Sequence, residues 1–179
     1  MRPANVRIMF SEKEISQRVE AIATNISRDF GGKEIAVVGL LEDSFIFMAD
    51  LIRKIDAKVL CYFLKAEIEE YDETVCRIKK IFYSPELDIE GKNVLLVGGV
   101  LDTGITLDFL TRFVLRGGPE LLRICFLVDK PKSRRIAFHC DYVGFSIETS
   151  ETPYMVGYGL ASDQQYRNLP YIGLLESKP

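Results

Sequence analysis

Residues 94–107 read VLLVGGVLDTGITL, and this stretch decides the fold class. VLLVGG (94–99) is a continuous apolar run without polar alternation, the pattern of a parallel strand covered on both faces. LDFLTRFVLR (107–116) has helical spacing and is stopped by Gly117-Gly118-Pro119. A buried strand entering a helix through a short turn is half of a βαβ unit. The turn itself, Asp102-Thr103-Gly104-Ile105-Thr106, combines helix N-terminal amides, two hydroxyls and a glycine that permits close backbone approach. Such a turn holds a phosphate without needing Lys or Arg. The same residues are equally consistent with Asp and Thr side chains that only cap the helix.

The rest of the chain repeats the alternation. Ser11 and Glu14 form a capping box that opens an amphipathic helix to about Phe30, with Ile15, Val19, Ile22, Ala23 and Ile26 on one face. Residues 34–40 read as a buried strand, 44–55 as a helix, and 58–64 as the next strand. KAEIEEYDETV (65–75) is polar and acidic and reads as a mobile loop, CRIKKIFY (76–83) as a strand, and Ser84-Pro85 as a break. LLRICFLVD (121–129), DYVGFSI (141–147), a short YMVGYGL segment (154–160) and PYIGLL (170–175) complete the reading. Strands alternating with helices predict an α/β domain with a mostly parallel, helix-covered sheet. Ligands of such sheets bind at the carboxyl ends of the strands, here the loops 41–44, 98–106 and 129–131.

With 179 residues, the chain is expected to form one domain spanning 1–179. At 47% hydrophobic and 27% charged it has an ordinary globular composition. A net charge of -3 and a pI near 5.4 leave no electrostatic footprint for nucleic acid. No apolar run reaches the ~18 residues that a bilayer span needs, and the first residues lack the apolar core of a signal peptide. A cytoplasmic protein with no membrane partner is expected. Cys61, Cys76, Cys125 and Cys140 form no CxxC pair and read as reduced, buried thiols. His139 is the only histidine, which argues against a zinc site.

Over nearly its whole length the sequence resembles the hypoxanthine–guanine phosphoribosyltransferase family. The resemblance is carried in order by SFIFMADLIRKI, DIEGKNVLLV, DTGITL, LVDKPKSRR, DYVGF, and VGYGL followed by YRNLPYIG. It implies a phosphoribosyltransferase-type α/β core of five strands, with helices on both faces and a small hood built from both termini. It also implies transfer of ribose 5-phosphate from phosphoribosyl pyrophosphate to hypoxanthine or guanine, with Mg2+ required, in a homodimer or homotetramer. Carried over by position, Asp102, Thr103, Gly104, Ile105 and Thr106 fall on the 5′-phosphate loop, and Asp102 also on the general base facing purine N7. Lys130 falls on the reader of the 6-oxo group, Tyr154 on the ring that stacks on the base, and Met155 on the backbone that reads the purine edge.

Other positions depart from the family. Gly98-Gly99 stand where the family has Glu-Asp, the acids that hold the ribose hydroxyls in part through magnesium. The pyrophosphate loop Leu-Lys-Gly-Ser reads Leu41-Glu42-Asp43-Ser44, and Arg167 belongs to the same group. The family's metal-binding Asp is Ala161 here, with Asp163 two residues on as a partial substitute. The mobile loop lacks its Ser-Tyr pair. The glycines are open to a second explanation, backbone torsions that no other residue tolerates. Two readings follow: a purine phosphoribosyltransferase of purine salvage, or a catalytically impaired relative that binds a purine nucleoside monophosphate in a regulatory or structural role.

Overall fold

A computed structural model of the chain describes residues 6–71, 76–83, 87–148 and 154–175. Its first helix, α1 (Glu12–Phe30), starts as the sequence predicts: the Ser11 hydroxyl accepts from the Glu14 amide, and the Glu14 carboxylate accepts from the Ser11 amide at 2.8 Å. Gly31 ends it in the left-handed region at φ 58°, returning its amide to Ser27 and Arg28 carbonyls. The buried stripe of α1 is the predicted one, extended by Phe30.

The main sheet has the order β4-β3-β2-β5-β6-β7: β2 (Ile35–Leu41), β3 (Val59–Tyr71), β4 (Cys76–Tyr83), β5 (Asn93–Leu101), β6 (Leu121–Asp129) and β7 (Tyr142–Ser146). Five strands run parallel, and β4 is an antiparallel edge on β3. Alternate residues of the central strands divide between two cores. Val37, Leu95, Val97, Cys125 and Leu127 meet α1 and α2 (Phe45–Ile52). Ala36, Val38, Val94, Leu96, Ile124 and Phe126 meet Leu107, Leu110 and Val114 of α3 (Ile105–Arg116). Each fully buried aliphatic side chain contributes about 1.5–3 kcal/mol, so covering both faces is what makes the unbroken apolar runs favourable. No helix among the described residues is long and apolar enough to cross a membrane.

A second, three-stranded sheet of order β1-β9-β8 unites the two ends of the chain: β1 (Val6–Phe10), β8 (Met155–Val156) and β9 (Ile172–Leu175). This is the hood that the resemblance implied. The region read as a mobile loop at 65–75 is corrected over 65–71, which extends β3 and pairs with β4 as far as Tyr71↔Cys76. Residues 72–75 and the Ser84-Pro85 break lie outside the described residues. Cys61 on β3 is exposed rather than buried, whereas Cys125 is fully buried between β5 and β7.

The chain goes from β2 to β3 on one side of β2 and to β5 on the other, with α2 and α3 on opposite faces. The crevice above the carboxyl ends of β2 and β5 is therefore a topological switch point, where ligands of open α/β sheets bind.

Candidate functional site

The loops 41–44 and 98–106 flank that crevice, and a cavity of about 200 Å³ lies between them. Asp102, Thr103, Gly104 and Thr106 line it together with Gly98, Gly99, Leu41 and Asp43, over an apolar floor that includes Leu64, Leu107 and Phe126. Ile105 begins α3 but is not among the lining residues. The capping reading of this turn does not fit the geometry. The N-cap is Gly104 with no side-chain cap bond, and the Asp102 carboxylate accepts from no amide of the helix; only Thr103 Oγ1 is approached by an amide, that of Ile105 at 3.5 Å.

Gly104 has φ 85°, and a Cβ there would stand 2.8 Å from the Ile136 carbonyl oxygen. The 130–138 segment causes this crowding. The Arg135 and Ile136 amides both donate to Thr103 O, at 2.9 and 3.1 Å. The Arg134 guanidinium donates to Leu101 O at 2.8 Å and to Asp102 O, and pairs with Asp129. Sequence reading quoted SRR only as part of a motif and missed Arg134 as the brace of the turn. Gly104→Ala is expected to cost about 1–3 kcal/mol, since a non-glycine in the left-handed region is strained and the carbonyl leaves no room. A denaturant titration reads this loss, and wild-type stability in the variant would contradict the crowding.

A second cavity, about 330 Å³, opens beneath the hood and is lined by Asp43, Val100, Asp102, Lys130, Tyr154, Met155, Leu160 and Ala161. Here the fold brings together all four base-site candidates. Lys130 is 3% exposed, its amide fixed to Leu101 O at 3.0 Å and its Nζ donating to Asp102 Oδ2 at 3.3 Å. A buried ammonium needs such a counter-charge. Asp102 Oδ1 is buried and has no hydrogen-bond partner among the described residues. Tyr154, by contrast, is 54% exposed, an aromatic face at the cavity rim. Its carbonyl is held by the Leu175 amide at 3.0 Å, across the hood strands.

Arg167 reaches the 41–44 loop. Its Nη2 donates to Glu42 Oε2 at 2.9 Å, and its Nη1 to Asp43 Oδ1 at 3.1 Å and Gly159 O at 2.6 Å. Lys65, on β3 and read in the sequence only as the start of a loop, donates to Glu42 Oε1 at 2.8 Å. The Lys65 ammonium, first by that hydrogen bond and then by its charge, holds the Glu42 carboxyl below the usual carboxylate range, with Arg167 adding to the effect. A depressed pKa means these contacts are complete at neutral pH and are lost as pH falls through the folded value. Ser44 is fully buried, its hydroxyl donating to Leu40 O at 2.6 Å, and it lines neither cavity.

The glycine pair has a steric reason. Neither Gly98 nor Gly99 has a positive φ, so the torsional explanation fails. A Cβ at Gly98 would stand 2.7 Å from Cδ1 of the Phe126 ring and closer still to Cε1 and Cζ. A Cβ at Gly99 would meet Asp43 O at 2.8 Å and Asp43 Cβ at 2.9 Å. The space for side chains at both positions is already filled, by β6 on one face and by the 41–44 loop on the other.

The donor set does not fit a resident magnesium ion. Among the described residues no three His, Cys, Asp or Glu side chains gather to hold a metal. Asp163 is exposed and lines neither cavity, Ala161 offers no side-chain oxygen, and Glu42 is taken up by Lys65 and Arg167.

A parallel sheet with a hood over its switch point defines the phosphoribosyltransferase class, and the family model described as phosphoribosyl transferase domain matches residues 9–163. A hypoxanthine-guanine phosphoribosyltransferase of Aquifex aeolicus is 35% identical, with 98% of each chain covered. The crystal structure of a Bacillus anthracis hypoxanthine-guanine phosphoribosyltransferase is 37% identical with a TM-score of 0.83, covering 95% of this chain and 98% of its own. A Trypanosoma cruzi hypoxanthine phosphoribosyltransferase variant, complexed with the product IMP, is 29% identical with a TM-score of 0.87 over 98% of this chain and 93% of its own. This chain belongs to the hypoxanthine–guanine phosphoribosyltransferase family.

Proposed function

We propose that the chain is a purine phosphoribosyltransferase of purine salvage, joining the ribose 5-phosphate of phosphoribosyl pyrophosphate to hypoxanthine or guanine. The observation that carries this is the convergence of Asp102, Lys130, Tyr154 and Met155 on one cavity that adjoins the cavity of the 102–106 turn. In this reading the turn's amides and hydroxyls hold the 5′-phosphate. Lys130 donates to the purine 6-oxo group, the Tyr154 ring covers the base, and Met155 presents backbone to its edge. Asp102 accepts the purine proton through its unpartnered oxygen as the bond from C1′ to the base nitrogen forms and the bond from C1′ to pyrophosphate oxygen breaks. Magnesium enters only as a counter-ion of the pyrophosphate, part of the substrate.

The test is a coupled assay with phosphoribosyl pyrophosphate, magnesium and each purine, beside melting curves with IMP and GMP. Saturation of the site stabilises the fold by RT ln(1 + [L]/Kd), about 2.7 kcal/mol at a hundredfold excess over Kd. A melting temperature unmoved by millimolar IMP and GMP would reject the nucleotide site altogether. The alternative is a relative that binds a purine monophosphate with little transfer activity. Stabilisation by IMP with no product in the assay selects it. Glu42→Gln removes one carboxylate from the face that pyrophosphate would approach, and a gain in pyrophosphate affinity of about fivefold is expected. Calorimetry with magnesium pyrophosphate measures it, and no gain would show that Glu42 does not face that ligand.

Assembly as a homodimer or homotetramer belongs to the same proposal. It is supported by exposed Phe45 and Phe63, apolar side chains that a subunit interface would cover. A monomer by light scattering at micromolar concentration would remove it. A cytoplasmic location is supported by three free thiols among the described residues, Cys61, Cys125 and Cys140, and cell fractionation checks it.

A further inference from the structure

The two cavities share three lining residues, Asp43, Val100 and Asp102. A nucleoside monophosphate with its phosphate on the 102–106 turn and its base beside Lys130 must pass its sugar through that junction. The side chain of Val100 has nothing to offer a hydroxyl. Asp102 is committed to Lys130 through Oδ2. Asp43 is placed differently: Oδ1 accepts from Arg167 at 3.1 Å, Oδ2 carries no bond among the described residues, and the side chain is 57% exposed.

The position of Asp43 is tightly fixed. Its backbone lies between two glycines, so that a Cβ would come within 2.8 Å of Asp43 O from Gly99 and within 3.0 Å from Gly159. Any side chain at residue 99 would push the 41–44 loop out of the crevice. The strand end has no carboxylate at Gly98-Gly99, and the loop that presses on it brings one.

We propose that Asp43 is the sugar-recognising residue of this chain, its carboxylate accepting hydrogen bonds from the 2′,3′-diol of a purine ribonucleoside monophosphate. The inference rests on the nucleotide reading above. A vicinal diol presents two O–H donors and a carboxylate two oxygens, so the contact is charge-assisted and selects ribose over sugars that lack a hydroxyl. Arg167 orients the carboxylate from behind, and the glycines on either side hold the loop that carries it. Asp43 is thereby a ligand of the sugar rather than only a misplaced charge in a pyrophosphate pocket.

Calorimetry with IMP and 2′-deoxy-IMP tests this on the wild-type chain, Asp43→Ala and Asp43→Asn. The wild type is expected to bind IMP tighter by about tenfold or more, the usual worth of a hydrogen bond to a charged group. Asp43→Ala is expected to bring the ratio near one by weakening IMP, which loses two hydroxyl contacts, more than 2′-deoxy-IMP, which loses only that of its 3′-hydroxyl, and Asp43→Asn to lower it part of the way. A purely structural role would weaken both nucleotides equally, leaving the ratio intact in both variants, and that result overturns the proposal. Equal affinities in the wild type overturn it too, while leaving the nucleotide site standing. If neither nucleotide binds at millimolar concentration, the nucleotide reading fails and this inference with it.

Discussion

Asp102→Asn is expected to lower kcat for the transfer reaction by about 10²- to 10⁴-fold, the range for loss of a positioned general base. The affinity for IMP should change much less, since the base acts mainly in the transition state. The substitution keeps the size of the side chain and one oxygen for Lys130, which stands 3.3 Å away. What it removes is the charge at the oxygen that lacks a partner among the described residues. A buried acceptor left unpaired in the protein is costly, so a ligand proton that satisfies it is well placed to be drawn toward it. Steady-state kinetics beside IMP calorimetry separate the two effects. Unchanged turnover would leave Asp102 as the counter-ion of Lys130 and nothing more. It would not make it a helix cap, because α3 is capped at Gly104.

The parts of the fold that were legible in the sequence are those set by short-range pattern. The capping box at Ser11 and the uninterrupted apolar runs of β2, β5 and β6 report burial directly, and their limits fell within a few residues of expectation. The extension of β3 was not legible by the same means. Beyond Lys65 the strand pairs with the edge strand β4 alone, so its residues need not be apolar, and acidic composition read as a loop. The available signal was the weak alternation Lys65-Ala66-Glu67-Ile68, period two in a polar background. In the site, DTGIT, Lys130, Tyr154 and Met155 could be placed from motifs. Asp43 over Gly99, and Arg167 and Lys65 around Glu42, join residues from 23 to 125 positions apart, and no local pattern encodes them. The motif comparison alone showed Glu42-Asp43 only as two acids where the family has Lys-Gly. The folded chain supplies the cations that neutralise them.

The glycine pair leads to the second large effect. Gly98→Glu is expected to destabilise the fold by about 3 kcal/mol or more, even though it restores an acid that the family has at this position. Gly98 lies beside Phe126 in the parallel register of β5 and β6, and the ring occupies the volume into which a Cβ would project. Phe126 is 3% exposed and clustered with Leu107 and Leu110, so the ring makes room only by leaving that cluster and turning into the cavity it helps to floor. Gly98→Ala isolates the steric part and should cost about 1–3 kcal/mol by overpacking alone. For a domain of this size each kcal/mol lowers Tm by about 2–4 °C, so a thermal melt resolves both variants. Phe126→Ala alone leaves a cavity and costs about 3–5 kcal/mol. Combined with Gly98→Ala it should cost less than the sum, because the added methyl enters space that the ring has left. Strict additivity in that double-mutant cycle would contradict the clash. The coupling has a consequence for the strand end as a whole. An acid at residue 98 requires a smaller residue at 126, and one at residue 99 requires the 41–44 loop to withdraw, so the glycines, Phe126 and Asp43 form one packed unit that changes together.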